Sequence, residues 1–370
     1  MAADRNGGAG EPAVENLQVG VVGLGYWGPN LLRVLAEMSD VEVKWICDAD
    51  PGCLERYQRR HPGALATTRI EDILDDPAVD AVVIATPVST HFPLASRALR
   101  AGKHTFVEKP LAPSVAEAEQ LVVLAEMNDL TLRCGHTFIH SPPVRAVKSL
   151  LDSGELGDIY FVSSSRVNLG LHQRDVSVIR DLAPHDFSIL LYWFEEMPQV
   201  IRAVGRDSIV KGIPDVAFIT LRMPSGVLAN VELSWLAPSK LRRTAIVGSK
   251  KMVVYDDTST EPIRIFDHGV VYEDPESFGQ YHLSYRTGDI VSPKLDTAEP
   301  ILVEMEDFVL AIRSGTCKDP QLDLALNVVR LLEAAEASLQ DEATEVLTRW
   351  IGLDDGDQMA LIENEQIDPA

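Results

Sequence analysis

Lys109 lies between Glu108 and Pro110, and that setting gives it a chemical use. A residue before proline is biased away from helix, and an X–Pro bond admits the cis form. A lysine at a strand's carboxyl end can hydrogen-bond a substrate hydroxyl and help drain its proton. Asp181 and His185 stand four residues apart, so a helix through them presents both on one face. Histidine is the side chain best suited to proton transfer near neutrality, and an aspartate can orient it. A second reading fits the same residues. Asp181 is then the N-cap of a helix over 182–194, with Pro184 in its first turn and His185 a satisfied interface histidine. The residue types alone leave the two readings level.

The third group is Gly23-Leu24-Gly25-Tyr26-Trp27-Gly28, a G-x-G-x-x-G that follows an apolar run and precedes a helical stripe. In that context Gly23 permits the tight turn, Gly25 lets the backbone approach a pyrophosphate, and Gly28 lets helix and strand pack closely. Amides at the helix start, around Tyr26 and Trp27, then hold the phosphates. Asp48 ends the next strand, at the spacing for a carboxylate that accepts from an adenosine ribose 2′-hydroxyl. It would repel a 2′-phosphate, which favours NAD over NADP. Its rival role is a plain turn residue, since Asp50 and Pro51 also make a loop there. Thr86, Pro87 and His91 follow a later strand at the same cofactor edge as Glu108 and Lys109. The rival for His91 is a polar residue at a helix start.

The elements that position these groups are legible as alternation. Strand-like runs over 17–24, 41–47, 79–86, 104–107 and 130–138 are separated by helical segments over about 27–38, 56–61, up to Gly102, and from Ser114 onwards. Ser114 with Glu117 reads as a capping box, and Gly102 as a residue just past a helix end. Repeated strand–helix–strand units mean right-handed crossovers and a doubly wound parallel sheet, an α/β fold. The pattern then changes. A helix over 144–151, a strand over 159–167 and the helix over 182–194 precede clustered strands from 200 to 255 with Gly and Pro turns. These predict a second α/β unit with an open mixed or antiparallel sheet. Two helices over about 300–313 and 322–339 follow. The division expected is a disordered leader at 1–16, a nucleotide-binding domain at 17–139, a substrate-binding and oligomerisation domain at 140–345 and an acidic tail at 346–370.

With 370 residues, 46% of them hydrophobic, and mean hydropathy near zero, the chain suits two globular domains in a soluble protein. No apolar run approaches the roughly 20 residues of a membrane span. A formal charge of -23 opposes nucleic acid but not an anionic small molecule held by local Arg and Lys residues. Cys47, Cys53, Cys134 and Cys317 lack CxxC spacing, which fits reduced thiols in the cytoplasm and argues against a structural zinc. No HExxH or Cys-His set argues for a metal. His136 and His140 flank the domain junction without a metal-ligand partner at useful spacing. The pairs Glu195-Glu196 and Asp256-Asp257 read as solvated faces.

With these residues in place, the sequence resembles the glucose-fructose oxidoreductase / inositol dehydrogenase / MocA family. The resemblance runs from about 17 to 341 and rests on GLGYWG, TPVSTH, AGKHTFVEKPLA, GHTFIHSPPVRAVKSLLDSGELGDI and DLAPHD. It implies a Rossmann domain, a C-terminal domain whose sheet face builds homodimers or homotetramers, and a catalytic set of Lys109, Asp181 and His185. In that set His185 is the acid/base, Asp181 its orienting partner and Lys109 the group that positions the reacting hydroxyl or carbonyl. Two segments, RVNLGLHQRDVSVIRDLAPHDFSILLYW and YRTGDIVSPKLDTAEPILVEMEDF, look closest to the branch of nucleotide-sugar 3-dehydrogenases and 3-ketoreductases. That likeness implies an NAD-dependent hydride transfer at C3 of a sugar, with His136, Arg166, Asn168, Arg174 and Tyr285 bordering the substrate. Ser177 and Arg180 depart from the branch's pattern, where Asn and Trp are common. The neighbouring readings are a free polyol or inositol dehydrogenase and a non-catalytic NAD-binding sensor.

Overall fold

The computed structural model describes residues 16–170, 176–267, 269–273, 282–315, 320–340 and 346–347. The strands β1 (Leu17–Val22), β2 (Val41–Cys47), β3 (Leu65–Thr67), β4 (Ala81–Ile84), β5 (His104–Glu108) and β6 (Leu132–Gly135) form one sheet in the order β3-β2-β1-β4-β5-β6. All its pairings are parallel. Helices α1 (Gly28–Glu37), α2 (Pro51–Gln58), α3 (Ile70–Leu74), α4 (His91–Arg100) and α5 (Val115–Met127) cover its faces. Burial on both faces is why β1 and β4 read as unbroken apolar runs: Val19, Val21, Val82, Val83 and Ile84 are all fully enclosed. The strand order reverses between β1 and β4. Such a switch point opens a ligand crevice at the carboxyl ends of the strands, and the 23–28 loop leaves β1 there.

Local chemistry corrects two expectations in this half. The helix placed at 56–61 begins at Pro51, because Asp50 caps it by accepting from the Gly52 amide at 2.9 Å. The elements β3 and α3, three and five residues long, were not anticipated, since neither is long enough to show a period. Ser114 does cap α5, accepting from the Glu117 amide at 3.3 Å while its hydroxyl donates to the Glu117 carboxylate.

The second half holds α6 (Pro142–Asp152), β7 (Ile159–Leu169), α7 (Val178–Phe194), β8 (Val200–Arg206), β9 (Val216–Arg222), β10 (Leu228–Ser234), β11 (Leu236–Gly248), β12 (Met252–Asp256), β13 (Ile263–Phe266), β14 (Gly269–Glu273), β15 (His282–Arg286), β16 (Ile290–Val291), α8 (Pro300–Ser314), α9 (Pro320–Gln340) and β17 (Val346–Leu347). Nine of these strands form a mixed sheet, β16-β13-β12-β11-β7-β10-β9-β8-β17, in which β7 and β10 run parallel. A separate hairpin joins β14 and β15. One face of the sheet is covered by α7 and α9, burying Phe187, Trp193, Ile219, Leu233 and Trp235. The other face exposes Phe161, Val204, Phe218 and Leu228.

The helix expected over 182–194 starts one turn earlier. Ser177 is its N-cap, accepting from the Arg180 amide at 3.3 Å. The reading of Asp181 as the cap is therefore set aside: Asp181 lies in the first turn, and Pro184 lies inside the helix. The last two helices tie the halves together. Ile301, Met305 and Phe308 of α8 pack into the core of the first sheet, where Phe308 meets Phe106 edge to face at 5.6 Å. Along α9, Leu322, Ala325 and Val329 enter the first core, and Val328, Leu331, Leu332 and Ala335 enter the second.

Candidate active site

The glycine loop has the geometry its residues require. Gly23 has φ +91°, a region that favours glycine, and a Cβ on Gly28 would lie 1.8 Å from the Gly23 carbonyl oxygen. A Cβ on Gly25 would meet nothing within 4 Å, so that side of the loop is open. No side chain caps α1, which leaves its leading amides, next to Tyr26 and Trp27, to an anion. The Asp48 carboxylate stands beside this loop. It accepts from the Leu24 amide at 2.6 Å and from the Asp50 amide at 2.9 Å. Each oxygen keeps further acceptor capacity toward a hydroxyl. These residues fit a dinucleotide.

Glu108 is half-buried behind the loop, where it receives a hydrogen bond from Trp27 and another from the Lys109 amide at 3.2 Å. Burial pushes its carboxyl up to about 7, against the favourable charge of Lys109. Its task is to fasten the glycine loop to the end of β5. His91 departs from the expected cofactor contact. Its ring is 1% exposed, with Nδ1 2.8 Å from the Pro110 carbonyl and Nε2 2.9 Å from the Thr86 carbonyl. Burial favours the neutral imidazole, whose single N–H donates to one of these carbonyls while the ring fills the space between the loop after β4 and the loop after β5. Thr86 also accepts from the Thr90 hydroxyl at 2.7 Å, and the Pro87 carbonyl accepts from the same hydroxyl.

Lys109 precedes a cis peptide to Pro110 and crosses to the second half of the chain. Its ammonium donates to the Asp181 carbonyl at 2.8 Å and lies 3.7 Å from the Asp181 carboxylate. The Trp235 indole donates to the other carboxylate oxygen at 3.0 Å. His185 is one turn further along α7 and partly buried, with its ring 5.0 Å from Phe138 in an edge arrangement. Burial holds its pKa well below the ordinary value, and the positive charges of Lys109, Arg166 and Arg242 act in the same direction. The imidazole is therefore neutral near pH 7 and able to take a proton. His136 is nearby and fully enclosed. Neither ring nitrogen has a partner among the described residues, and burial lowers its pKa to about 3.

Arg166 forms the wall beside His185. It is paired with Asp186 of α7 at 2.5 Å, and Asp186 also accepts from Ser164 at 2.7 Å. The Arg166 Nη1 has no partner among the described residues. The β7–β11 register sets Arg242 opposite Arg166, and both guanidinium groups lie against the Phe138 ring, at 4.8 and 5.9 Å. Asp257, read from sequence as a solvated residue, neutralises Arg242 at 3.0 Å. Phe138, Asp186, Trp235 and Arg242 were missed by sequence reasoning, because nothing local marks them; only the strand register and helix packing bring them here. Asn168 lies at the far end of β7, partly exposed. Arg174 lies outside the described residues, as do the side chain of Tyr285 and residue Cys317. Ser177 and Arg180 meet Glu336 of α9.

Comparison with known proteins identifies the family. Residues 17–136 match the model described as the oxidoreductase family with an NAD-binding Rossmann fold, and residues 144–254 match the GFO/IDH/MocA C-terminal domain. Together they take in more than half of the chain, which belongs to the Gfo/Idh/MocA family of oxidoreductases and uses a nicotinamide adenine dinucleotide. The chain is 28% identical over 227 residues to inositol 2-dehydrogenase of Corynebacterium glutamicum, covering 60% of this chain and 67% of that enzyme. It is 28% identical over 241 residues to UDP-N-acetylglucosamine 3-dehydrogenase of Acidithiobacillus ferrooxidans, covering 65% and 74%. In fold it is similar to GenD2 from gentamicin A biosynthesis in complex with NAD, with TM-score 0.77, 23% identity and 95% and 100% coverage. Among the described residues, no helix is long and apolar enough to cross a membrane.

Proposed function

We propose that this oxidoreductase moves a hydride between nicotinamide and a ring carbon of a sugar, at C3 of a nucleotide-linked sugar, with Lys109, Asp181 and His185 as its catalytic set. The observation that carries the reading is the crossing of Lys109 from β5 to the first turn of α7, one turn from a neutral His185. When bound, the nicotinamide ring exchanges the hydride. His185 takes the hydroxyl proton during oxidation and returns it during reduction. Lys109 holds the reacting oxygen, and Asp181, itself held by Trp235, fixes the lysine. Arg166 and His136, with unpartnered buried nitrogens, are donors for the sugar's other oxygens.

The similarity to a UDP-N-acetylglucosamine 3-dehydrogenase supports the nucleotide-sugar substrate, and the equal similarity to an inositol 2-dehydrogenase supports a free polyol as the second reading. An assay of NADH formation on UDP- and dTDP-sugars beside inositols separates them. Turnover of inositol alone would overturn the first reading, and tight NAD binding without turnover of any member would point to a sensor. The exposed apolar face of the nine-stranded sheet is our proposed homodimer or homotetramer contact, tested by light scattering of Phe218→Glu.

A further inference from the structure

The lysine segment is fastened to α7 at two points. Lys109 donates to the Asp181 carbonyl, and the Pro113 carbonyl accepts from Arg180 Nη1 at 2.5 Å. Between them Pro110, Leu111 and Ala112 are buried. The other edge of the Arg180 guanidinium meets α9, where Nε and Nη2 lie 2.8 and 2.7 Å from Glu336 Oε2. Ser177 donates to Glu336 Oε1 at 2.9 Å while capping α7. One and two turns back along α9 the same stripe continues. Glu333 accepts from the Val115 amide at 2.7 Å, and Arg330 pairs with Glu119 at 2.9 Å.

We propose that Arg180 and Glu336 are positioning residues, which register the 109–113 segment and the first turn of α7 on α9 and so fix the Lys109 ammonium against the face that carries His185. The proposal rests on the reading of Lys109, Asp181 and His185 as the catalytic set. Its force comes from geometry. Residue 180 binds the segment four residues beyond Lys109, residue 181 binds Lys109 itself, and α9 is packed in both cores. A guanidinium spans Pro113 and Glu336 at once with planar donors on two edges; a point-charge ammonium does not. A catalytic group displaced by about 1 Å loses up to about 10²-fold in rate, so this tie acts on turnover more than on binding.

The test uses the full chain with NAD, with UDP-N-acetylglucosamine and inositol as substrates, and with acetic anhydride labelling of Lys109 read by peptide mass spectrometry. In Arg180→Ala we expect kcat to fall about tenfold or more, with KM and NAD affinity within about twofold, and Lys109 to label several-fold faster. Glu336→Ala should behave alike, and the double variant should be no worse than Arg180→Ala alone. Arg180→Lys serves where the alanine variant does not fold, and should recover part of kcat. Unchanged kcat with a lower Tm, unchanged labelling, or losses that multiply in the double variant each overturn the tie. If the wild type turns over neither compound, the labelling rate alone decides the tie, and the proposed function is decided separately on the panel of nucleotide sugars.

Discussion

The Lys109 ammonium donates to the main-chain carbonyl of Asp181 at 2.8 Å, a bond between the end of a Rossmann strand and the first turn of a helix 72 residues away. Its consequence is that the site exists only when the two sheets are docked. The loop after β5 supplies the lysine, α7 supplies the aspartate and histidine, and β10 ends beside Trp235, which holds the aspartate.

Removing the lysine or the histidine of this site should separate binding from chemistry. In Lys109→Ala and His185→Ala, NAD affinity measured by calorimetry should stay within about twofold, because neither side chain touches the glycine loop. Turnover should fall by roughly 10²–10⁴-fold. Wild-type turnover in both variants would sink the catalytic assignment.

The titration of His185 sets the acid limb of oxidation. Its pKa lies well below the ordinary value near 6.5, through burial first and then through Lys109, Arg166 and Arg242. The proton-accepting, neutral form therefore persists as pH falls through the range where a free histidine charges. The kcat/KM profile for oxidation should stay level down through about pH 6.5 and decline only below it. In the reverse direction, where the protonated form donates, the rate should rise as pH falls and already be low at about pH 6.5. A limb for oxidation centred at or above about 6.5 would contradict the local field.

Asp48 does two jobs, and two substitutions resolve them. It fixes the glycine loop through the Leu24 amide and stands where an adenosine ribose hydroxyl would be read. Asp48→Asn keeps an acceptor for the loop but removes the charge that repels a 2′-phosphate. NAD affinity should fall about tenfold, near 1.4 kcal/mol, while NADP affinity rises. Asp48→Ala should lose affinity for both. Equal losses for the two cofactors in Asp48→Asn would show that its charge does not select between them.

Much of this architecture was legible from local pattern. The apolar runs that end before Gly23 and Pro87 announced the parallel sheet, because burial on both faces leaves no polar alternation, whereas β2 carries Glu42 and Lys44. The four-residue spacing of Asp181 and His185 announced a shared helix face. What stayed hidden depends on long-range contact. The start of α7 was misplaced because Ser177 follows a polar loop, and its capping role shows only once Arg180 closes the turn. Nothing near Arg242 in sequence tells that it will lie across from Arg166. Likewise α8 packs against Phe106, about 200 residues earlier in the chain, so its own periodicity shows an apolar face but not the sheet that receives it.

Glu108 offers a last prediction, in which burial and pH work against each other. Its carboxyl titrates near 7 in the folded chain and near 4.3 when unfolded, so the protonated form is the one the fold favours. Stability from a raised carboxyl is fully present below about pH 4.3 and is lost as pH rises toward 7. The shift corresponds to up to about 4 kcal/mol, an upper limit because water entry relieves part of it. Glu108→Gln keeps the shape and an acceptor for Trp27 but cannot ionise. In urea unfolding, the variant's stability relative to wild type should be flat below about pH 4, improve steadily to about pH 7, and be level above that. Glu304, whose ionisation Glu108 also disfavours, is present in both proteins, so the difference isolates position 108 and its coupling to Glu304. A difference that does not change with pH would mean that Glu108 stays charged or is hydrated in the fold, and that Trp27 is then held by a carboxylate rather than by a neutral acid.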